Sequence, residues 1–147
     1  MQGKLYGEVY RRTLVCVDAC EQRAISGRMY HSSMEYGLQF HSLMELLLDM
    51  DELLDEIQLP QATVEMRTFG KRRRSLRGTP VPIVREWTGE IATFEVRVLY
   101  RQNASWQGTI KWIEGKKESQ FRSVMELLTL VDSALSGGEE KRTEREE

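Results

Sequence analysis

LQFHSLMELL, residues 38–47, returns as SQFRSVMELL at residues 119–128, and this pair of stretches decides the fold. The two lie 81 residues apart. The match extends without a gap over residues 27–54 and 108–135, where 10 of 28 positions are identical. Self-similarity at a fixed offset indicates an internal duplication. The sequence therefore predicts two tandem copies of one structural unit.

Both stretches carry the signal for the start of a helix. Ser42 with Glu45, and Ser123 with Glu126, form the capping box in which a serine precedes a glutamate by three residues. The serine oxygen accepts an amide hydrogen bond that the first turn leaves open, and the glutamate binds an amide at the cap. Leucine-rich runs follow at helical spacing. We expect one helix to begin immediately after each serine.

The expected ends of these helices differ. Leu59 and Pro60 should close the first helix, because proline cannot continue one. Ser136–Gly138 offer the glycine exit that is typical of a helix C-terminus. Residues 137–147, GGEEKRTEREE, lack large apolar side chains. That composition predicts a disordered charged tail.

Upstream of each helix the apolar residues recur every second position, as in half-buried strands. Phe94, Val96 and Val98 show this before the second helix, and residues 14–19 occupy the corresponding place before the first. Three strands and a helix per copy predict an α+β fold, an antiparallel sheet with two helices packed on one face. The predicted parts of this single compact domain are repeat unit one (1–59), a strand and basic linker (60–88), repeat unit two (89–136) and the tail (137–147).

Composition restricts the setting. The 147 residues have a formal net charge of −2 and include two cysteines. Such a chain has neither a global field for nucleic acid nor a disulfide scaffold. Its first residues lack the apolar run of a secretion signal, and the apolar cluster at residues 46–48 is far shorter than a membrane span. We expect a cytoplasmic protein that does not enter a membrane.

The soft metal ligands of the chain are Cys16, Cys20, His31 and His41. Two cysteines four positions apart on a strand are separated by roughly 13 Å, too far to share an ion unless a bulge intervenes. A cysteine or serine with a histidine partner is formally available for catalysis. No nucleophile elbow, phosphate-binding loop or zinc-protease helix accompanies it. The sequence predicts no metal, no cofactor and no catalytic residue, and hence a protein that is not an enzyme.

The first predicted helix carries five acidic residues that could suggest a carboxylate pair or a divalent-metal site. Their positions lie opposite the leucine stripe, so we expect a solvated surface instead. These residues are Asp49, Asp51, Glu52, Asp55 and Glu56.

A basic segment, residues 66–85, is the strongest local charge feature. It contains seven cations and no acid, and Phe69 and Trp87 lie in it or next to it. Three interpretations stay open: contact with nucleic-acid phosphates, contact with a protein, or pairing with the acidic face of the first helix. The candidate contact residues are Lys71, Arg72, Arg73, Arg74 and Arg77.

The loop RQNASWQG, residues 101–108, is the second candidate surface. It combines hydrogen-bonding side chains with a large aromatic residue, as recognition loops do. Its candidate contacts are Asn103, Trp106 and Gln107. The alternative is structural: Trp106 folds over the sheet beside Trp112 and closes the end of the hairpin.

The stretches RQNASWQGTIKWIEGKKESQFRSVMELL and LQFHSLMELLLDMDELLDE resemble small uncharacterised proteins of Firmicutes plasmids and conjugative elements. That family carries no assigned activity, so no residue role transfers from it. The resemblance implies a mobile-element setting, in which small proteins regulate transfer or, like anti-CRISPR proteins, inhibit host defence complexes. By this analogy we expect a non-enzymatic regulator or inhibitor of a protein or nucleoprotein complex. A nucleic-acid-binding protein that uses the arginine-rich linker is the alternative.

The predicted architecture also favours a homodimer. With two helices on one face of the sheet, Leu14, Leu99 and Trp112 cannot all pack beneath them. The opposite face would then retain apolar residues, and such a patch favours self-association.

Overall fold

The computed structural model describes residues 12–58, 60–62, 65–71, 75–83, 88–101 and 105–146, with side chains described as far as residue 137. Within them the chain forms one seven-stranded antiparallel sheet and two helices, which confirms the α+β class. The strands are β1 (Arg12–Glu21), β2 (Ala24–His31), β3 (Gly37–Phe40), β4 (Thr79–Val81), β5 (Ala92–Tyr100), β6 (Gln107–Trp112) and β7 (Lys117–Phe121). The helices are α1 (Leu43–Ile57) and α2 (Val124–Glu146).

The strands lie in the order β4-β3-β2-β1-β5-β6-β7, so β1 and β5 meet near the centre of the sheet. Their antiparallel register places Arg12 opposite Arg97 and Leu14 opposite Glu95. From this pair, β2 and β3 continue toward one edge, and β6 and β7 continue toward the other. The sheet thus consists of two three-stranded meanders joined through their first strands, with β4 added beside β3.

A glycine in the second strand of each meander permits a close approach of two backbones. Gly27 of β2 faces the bulged part of β1, and Gly108 of β6 faces the bulged part of β5. A Cβ atom at Gly27 would collide with the carbonyl oxygen of Cys16, and one at Gly108 with that of Arg97. Both positions therefore require glycine.

The core forms where alternate residues of the central strands meet the helices. Val15 and Val17 of β1 line a narrow apolar space together with Leu46 of α1 and Leu127 of α2. Side chains from both helices thus join one hydrophobic cluster with the sheet. The largest fully buried apolar side chains are Phe40, Phe94, Phe121, Met29, Leu38, Met50, Leu54, Val17 and Val98.

Helix α1 is capped at both ends. Ser42 Oγ accepts a hydrogen bond from the Glu45 amide at 3.1 Å, as the capping box predicts. The Glu45 carboxylate accepts one from the His41 amide at 3.3 Å. At the other end Gln58 adopts a left-handed conformation, and its amide donates to the Leu54 carbonyl at 2.8 Å. A left-handed residue ends a helix, and α1 stops ahead of the proline as predicted.

Helix α2 begins with the same cap but is longer than expected. Ser123 Oγ accepts from the Glu126 amide at 3.2 Å. The predicted exit at Ser136–Gly138 is wrong, because α2 continues to Glu146 through the stretch expected as a disordered tail. That stretch is rich in glutamate, lysine and arginine, which favour helices, with opposite charges three and four positions apart. This preference outweighs the two glycines.

The linker between the meanders also differs from the prediction. The strand expected near residues 62–69 does not form in the described part of the linker: Ala62 makes a single bridge to Arg101, and residues 65–68 are irregular. The strand lies instead at Thr79–Val81, where it pairs with β3. Residues 65–69 are exposed, so their alternating apolar side chains have no sheet face on which to pack.

Candidate binding surfaces

The basic segment presents an aromatic ring and cations to solvent. Phe69 is fully exposed, and Arg67 and Lys71 on either side of it are exposed as well. Neither cation forms an ion pair with another residue that the structure describes. Three further predicted contacts lie outside the described residues, namely Arg72, Arg73 and Arg74.

A buried carboxylate holds the far end of this segment. Asp49 of α1 is 1% exposed, and it accepts hydrogen bonds from the backbone amides of Arg77 at 2.7 Å and Gly78 at 2.8 Å. The guanidinium of Arg77 lies 3.9 Å from the same carboxylate. β4 begins at the next residue. Arg77, a predicted partner contact, therefore anchors the segment to α1.

A second polar network closes the end of α1. Arg101, which directly follows β5 and is 4% exposed, lies 2.7 Å from Asp55 and 3.5 Å from Asp51. Its guanidinium also donates to the carbonyls of Pro60 at 2.8 Å and Leu54 at 3.2 Å. One buried cation thus satisfies carbonyls left open at the helix C-terminus and neutralises two carboxylates.

The expected solvated acidic face of α1 is therefore wrong for Asp49 and Asp51, both of which are buried. Amphipathic spacing assigns every carboxylate to solvent. A carboxylate enters the interior when amides or a cation from elsewhere in the chain compensate its charge. In this fold the linker amides and Arg101 provide that compensation.

The RQNASWQG loop is only partly an exposed surface. Trp106 is 6% exposed and belongs to the core cluster. Gln107 begins β6, pairs with Tyr100 and is half-buried. Asn103 lies outside the described residues. The burial of Trp106 matches the structural interpretation of this ring, so a contact role would require the ring to leave the core.

The four soft ligands do not converge within the described chain. Cys16 and His31 are buried and Cys20 is half-buried, whereas His41 is exposed and lies 3.0 Å from Glu45. No group of three His, Cys, Asp or Glu side chains among the described residues is arranged to hold a metal ion. Burial raises the pKa of the Cys16 thiol to about 11. This thiol stays protonated at neutral pH and is a poor nucleophile.

An ion pair between β1 and β2 fastens the linker where it returns to the sheet. Arg28 donates to Asp18 twice, at 2.9 Å from Nε and 3.1 Å from Nη2. Arg28 also donates to the Thr88 carbonyl at 2.7 Å, and the Glu90 amide donates to Asp18 at 3.1 Å. The hydrogen bonds to Asp18 raise the pKa of Arg28. Sequence reasoning missed this pair, whose only signal is two opposite charges ten residues apart.

Charged pairs flank the residues from which dimerisation was predicted. Glu95 lies 3.3 Å from Arg12 and 3.6 Å from Arg97. Leu14, opposite Glu95 in the register, and Leu99 are half-buried. Trp112, the third residue of that prediction, packs against the core cluster. The homodimer stays a prediction.

An apolar groove lies beside β7. It has a volume of about 380 Å³ and separates β5, β6 and β7 from the middle of α2. Phe94, Ile110, Leu130 and Ala134 line its walls. Trp112 also lines it, and the indole nitrogen of this residue is buried without a hydrogen-bond partner among the described residues.

Comparison of the chain with protein-family models, with curated proteins and with solved structures gave no match. Among the described residues, neither helix has the length and apolar content that crossing a membrane requires. The function of these surfaces must therefore be argued from their geometry and charge.

Proposed function

We propose that this protein is a non-enzymatic cytoplasmic binding protein that regulates or inhibits a protein or nucleoprotein complex through its basic segment. One observation carries the proposal: Phe69 is fully exposed between two exposed cations, Arg67 and Lys71. Asp49 fixes the end of the same segment to α1. Aromatic and cationic side chains presented together from an anchored segment are the groups that bind most strongly at interfaces.

The charge of the segment favours an anionic partner. Arg67 and Lys71 form no ion pair within the described chain. Three carboxylates of α1 that could have neutralised them are engaged elsewhere, because Asp49 binds linker amides and Asp51 and Asp55 bind Arg101. These contacts argue against the interpretation in which the segment pairs with α1. Acidic protein surfaces and nucleic-acid phosphates both suit such free cations.

An anti-CRISPR-like inhibitor of a nucleoprotein complex is the sharpest form of this proposal. Its mobile-element setting rests on the sequence resemblance described above. A nucleoprotein offers phosphates and acidic protein surface side by side, so one segment that combines cations with an aromatic ring suits it.

Direct binding of nucleic acid is the second candidate function. The cations would contact phosphates, and Phe69 would stack on an unpaired base. This candidate is favoured by the same exposed ring, and its mark is an affinity that falls steeply with salt concentration.

We also propose that the two meander-and-helix units are copies of one ancestral unit, with both helices on one face of the sheet. Support comes from caps, strand glycines and bulges that recur at an offset of 81 residues. The β1–β5 register adds to it, because Leu14 lies opposite Glu95, its own counterpart at that offset. Pairing of like with like is the property of a twofold contact. Leu46 and Leu127 line the same apolar space.

A charge-matched pair of variants tests the binding proposal. The test variant combines Arg67→Glu and Lys71→Glu with Phe69→Ala. The control combines Arg23→Glu with Lys111→Glu, two exposed cations outside the segment, and changes the net charge equally. Tagged proteins are purified from a Firmicute host with and without nuclease. Wild type and control should retain a nuclease-resistant partner that the test variant loses.

Recovery of the same partner by all three proteins would contradict the proposal. The second candidate has a separate readout, the mobility of plain RNA and DNA. A shift that weakens with salt and disappears in the test variant, together with loss of all partners after nuclease, would select direct nucleic-acid binding.

A further inference from the structure

The two outer edges of the sheet differ. β3 is covered on its outer side by β4, since Thr79–Val81 pair with residues 37–39. β7 forms the opposite edge, and no described strand pairs with its outer side. Residues 117–120 of β7 are exposed. A strand edge offers a row of N–H and C=O groups to which an extended peptide can bind.

The apolar groove opens beside this edge. Lys117 and Ser119 of β7 bound it on one side, and Leu130 and Ala134 of α2 bound it on the other. The indole nitrogen of Trp112, buried in the same wall, has no acceptor among the described residues. A buried donor without an acceptor is unfavourable. A ligand that brought an oxygen atom to this donor would remove that penalty.

The first unit shows how such an edge is occupied. Pro80 of β4 lies opposite Leu38 of β3. At the offset of 81 residues, Ser119 corresponds to Leu38 and Leu130 corresponds to Asp49. This correspondence rests on the duplication proposed above. A strand added to β7 would place one side chain opposite Ser119, at the groove, where aliphatic Leu130 replaces the carboxylate that holds the linker.

Free cations lie at one end of the open edge. Lys116 and Lys117 are exposed and form no ion pair with a residue in the described ranges. In an antiparallel pairing the C-terminal end of the added strand lies beside Lys117. Charge complementarity therefore favours an acidic residue at that end of the ligand.

A second copy of β7 would fill the groove poorly. The β7 residues with the required orientation are Lys117, Ser119 and Phe121, since alternate residues of a strand share a face. Phe121 is 1% exposed because it is already part of its own core. The other two side chains are polar, so the occupant that fits is a different peptide.

We propose that β7 and the apolar groove bind an extended peptide segment of a partner protein as an eighth, antiparallel strand. One apolar side chain of the peptide enters the groove opposite Ser119, and an acidic residue near its C-terminal end meets Lys117. The main-chain ladder supplies affinity, and the groove selects the sequence. This surface is separate from the basic segment and supplies a second, sequence-selective contact.

A displayed library of random octapeptides, selected on the immobilised full-length protein, tests the proposal. Selected peptides should alternate apolar with polar residues and carry an acid toward the C-terminus. A selected peptide should shift the NMR signals of the β7 amides and of the Trp112 indole. Ser119→Trp, which fills the groove, should weaken binding about tenfold or more. Gln120→Trp places the same ring on the opposite face of β7 and should change affinity less than about twofold.

Urea unfolding verifies that both variants fold. The proposal is overturned if no peptide is enriched over the Ser119→Trp protein, or if the two variants weaken binding equally. It is also overturned if light scattering finds a wild-type dimer that Ser119→Trp converts to a monomer, because a second copy then occupies the edge. Phe69→Ala should leave peptide binding intact, which keeps this test independent of the basic segment.

Discussion

The two meander-and-helix units share their elements but close their outer edges in different ways. In the first unit, Asp49 of α1 holds the linker, and the linker supplies β4 as a cover for β3. In the second, Leu130 of α2 stands at the corresponding position and lines an open groove beside β7. The comparison teaches that a carboxylate or an aliphatic side chain at one helix position accompanies a covered or an open sheet edge.

The largest effect is expected where the closed unit depends on one cation. Arg101→Ala would leave Asp51 without its partner in a buried site and would open carbonyls at the end of α1. We expect the free energy of unfolding in urea to fall by about 3–5 kcal/mol. Arg97→Ala on β5 is the control, because its ion pair with Glu95 is partly exposed and should contribute less than about 1 kcal/mol. Equal losses would remove Arg101 as the anchor.

The strand glycines sharpen the comparison, because here the two units should respond alike. Gly27→Ala and Gly108→Ala each drive a methyl group into a carbonyl oxygen of the neighbouring strand. We expect each to lower the free energy of unfolding by about 2–3 kcal/mol. Gly137→Ala in α2 has open space around it and should instead raise stability by about 0.5–1 kcal/mol. A loss confined to one strand glycine would show that the units are not equivalent at this point.

Removing the hook of the first unit should break the comparison by opening its edge. Asp49→Ala deprives the Arg77 and Gly78 amides of their acceptor, at a cost of about 2 kcal/mol. Amide hydrogen exchange of Thr79 and Val81 should then accelerate. Glu56→Ala, an exposed acid of the same helix, should leave that exchange unchanged. Unaltered exchange in the Asp49 variant would mean that β4 holds its place without the carboxylate.

The smallest effect concerns acid stability and the cap of α2. Hydrogen bonds from Arg122 lower the pKa of Glu126 from 4.5 to about 2. Because the folded-state pKa lies below the unfolded one, this carboxylate stabilises the fold above pH 4.5 and loses its effect as the pH falls toward 2. Glu126→Gln should flatten the dependence of Tm on pH in this window. Glu118→Gln, another exposed acid, should preserve it, and identical profiles for the two variants would contradict the assignment.

Local rules predicted the parts of the fold that depend on local signals. Helix starts followed from the capping boxes at Ser42 and Ser123, because a cap is decided within four residues. Strand β5 followed from alternation, since Phe94, Val96 and Val98 face the core. The length of α2 was missed, because helix propensity in its charged end outweighs a double glycine.

The polar contacts depend on distant partners and were mostly beyond prediction. Arg101 binds Asp55 across 46 residues of sequence, and no local pattern marks such a pair. Asp49 did leave a signal: it lies three residues after Leu46, on the leucine stripe, and aligns with Leu130. An acid at a position where the other copy is aliphatic indicates a buried carboxylate with dedicated donors. The open edge of β7 became visible only with the strand order.

The register between β1 and β5, centred on Leu14 and Glu95, bears on how the chain evolved. A single unit would leave its first strand bare on one side, and the natural cover for that strand is the first strand of an identical unit. On the proposed duplication, the ancestral product was a symmetric dimer, and gene fusion released its halves from the obligation to stay identical. One copy then gained a linker that folds over its edge, while the other kept its edge bare. Identical chains cannot divide labour in this way.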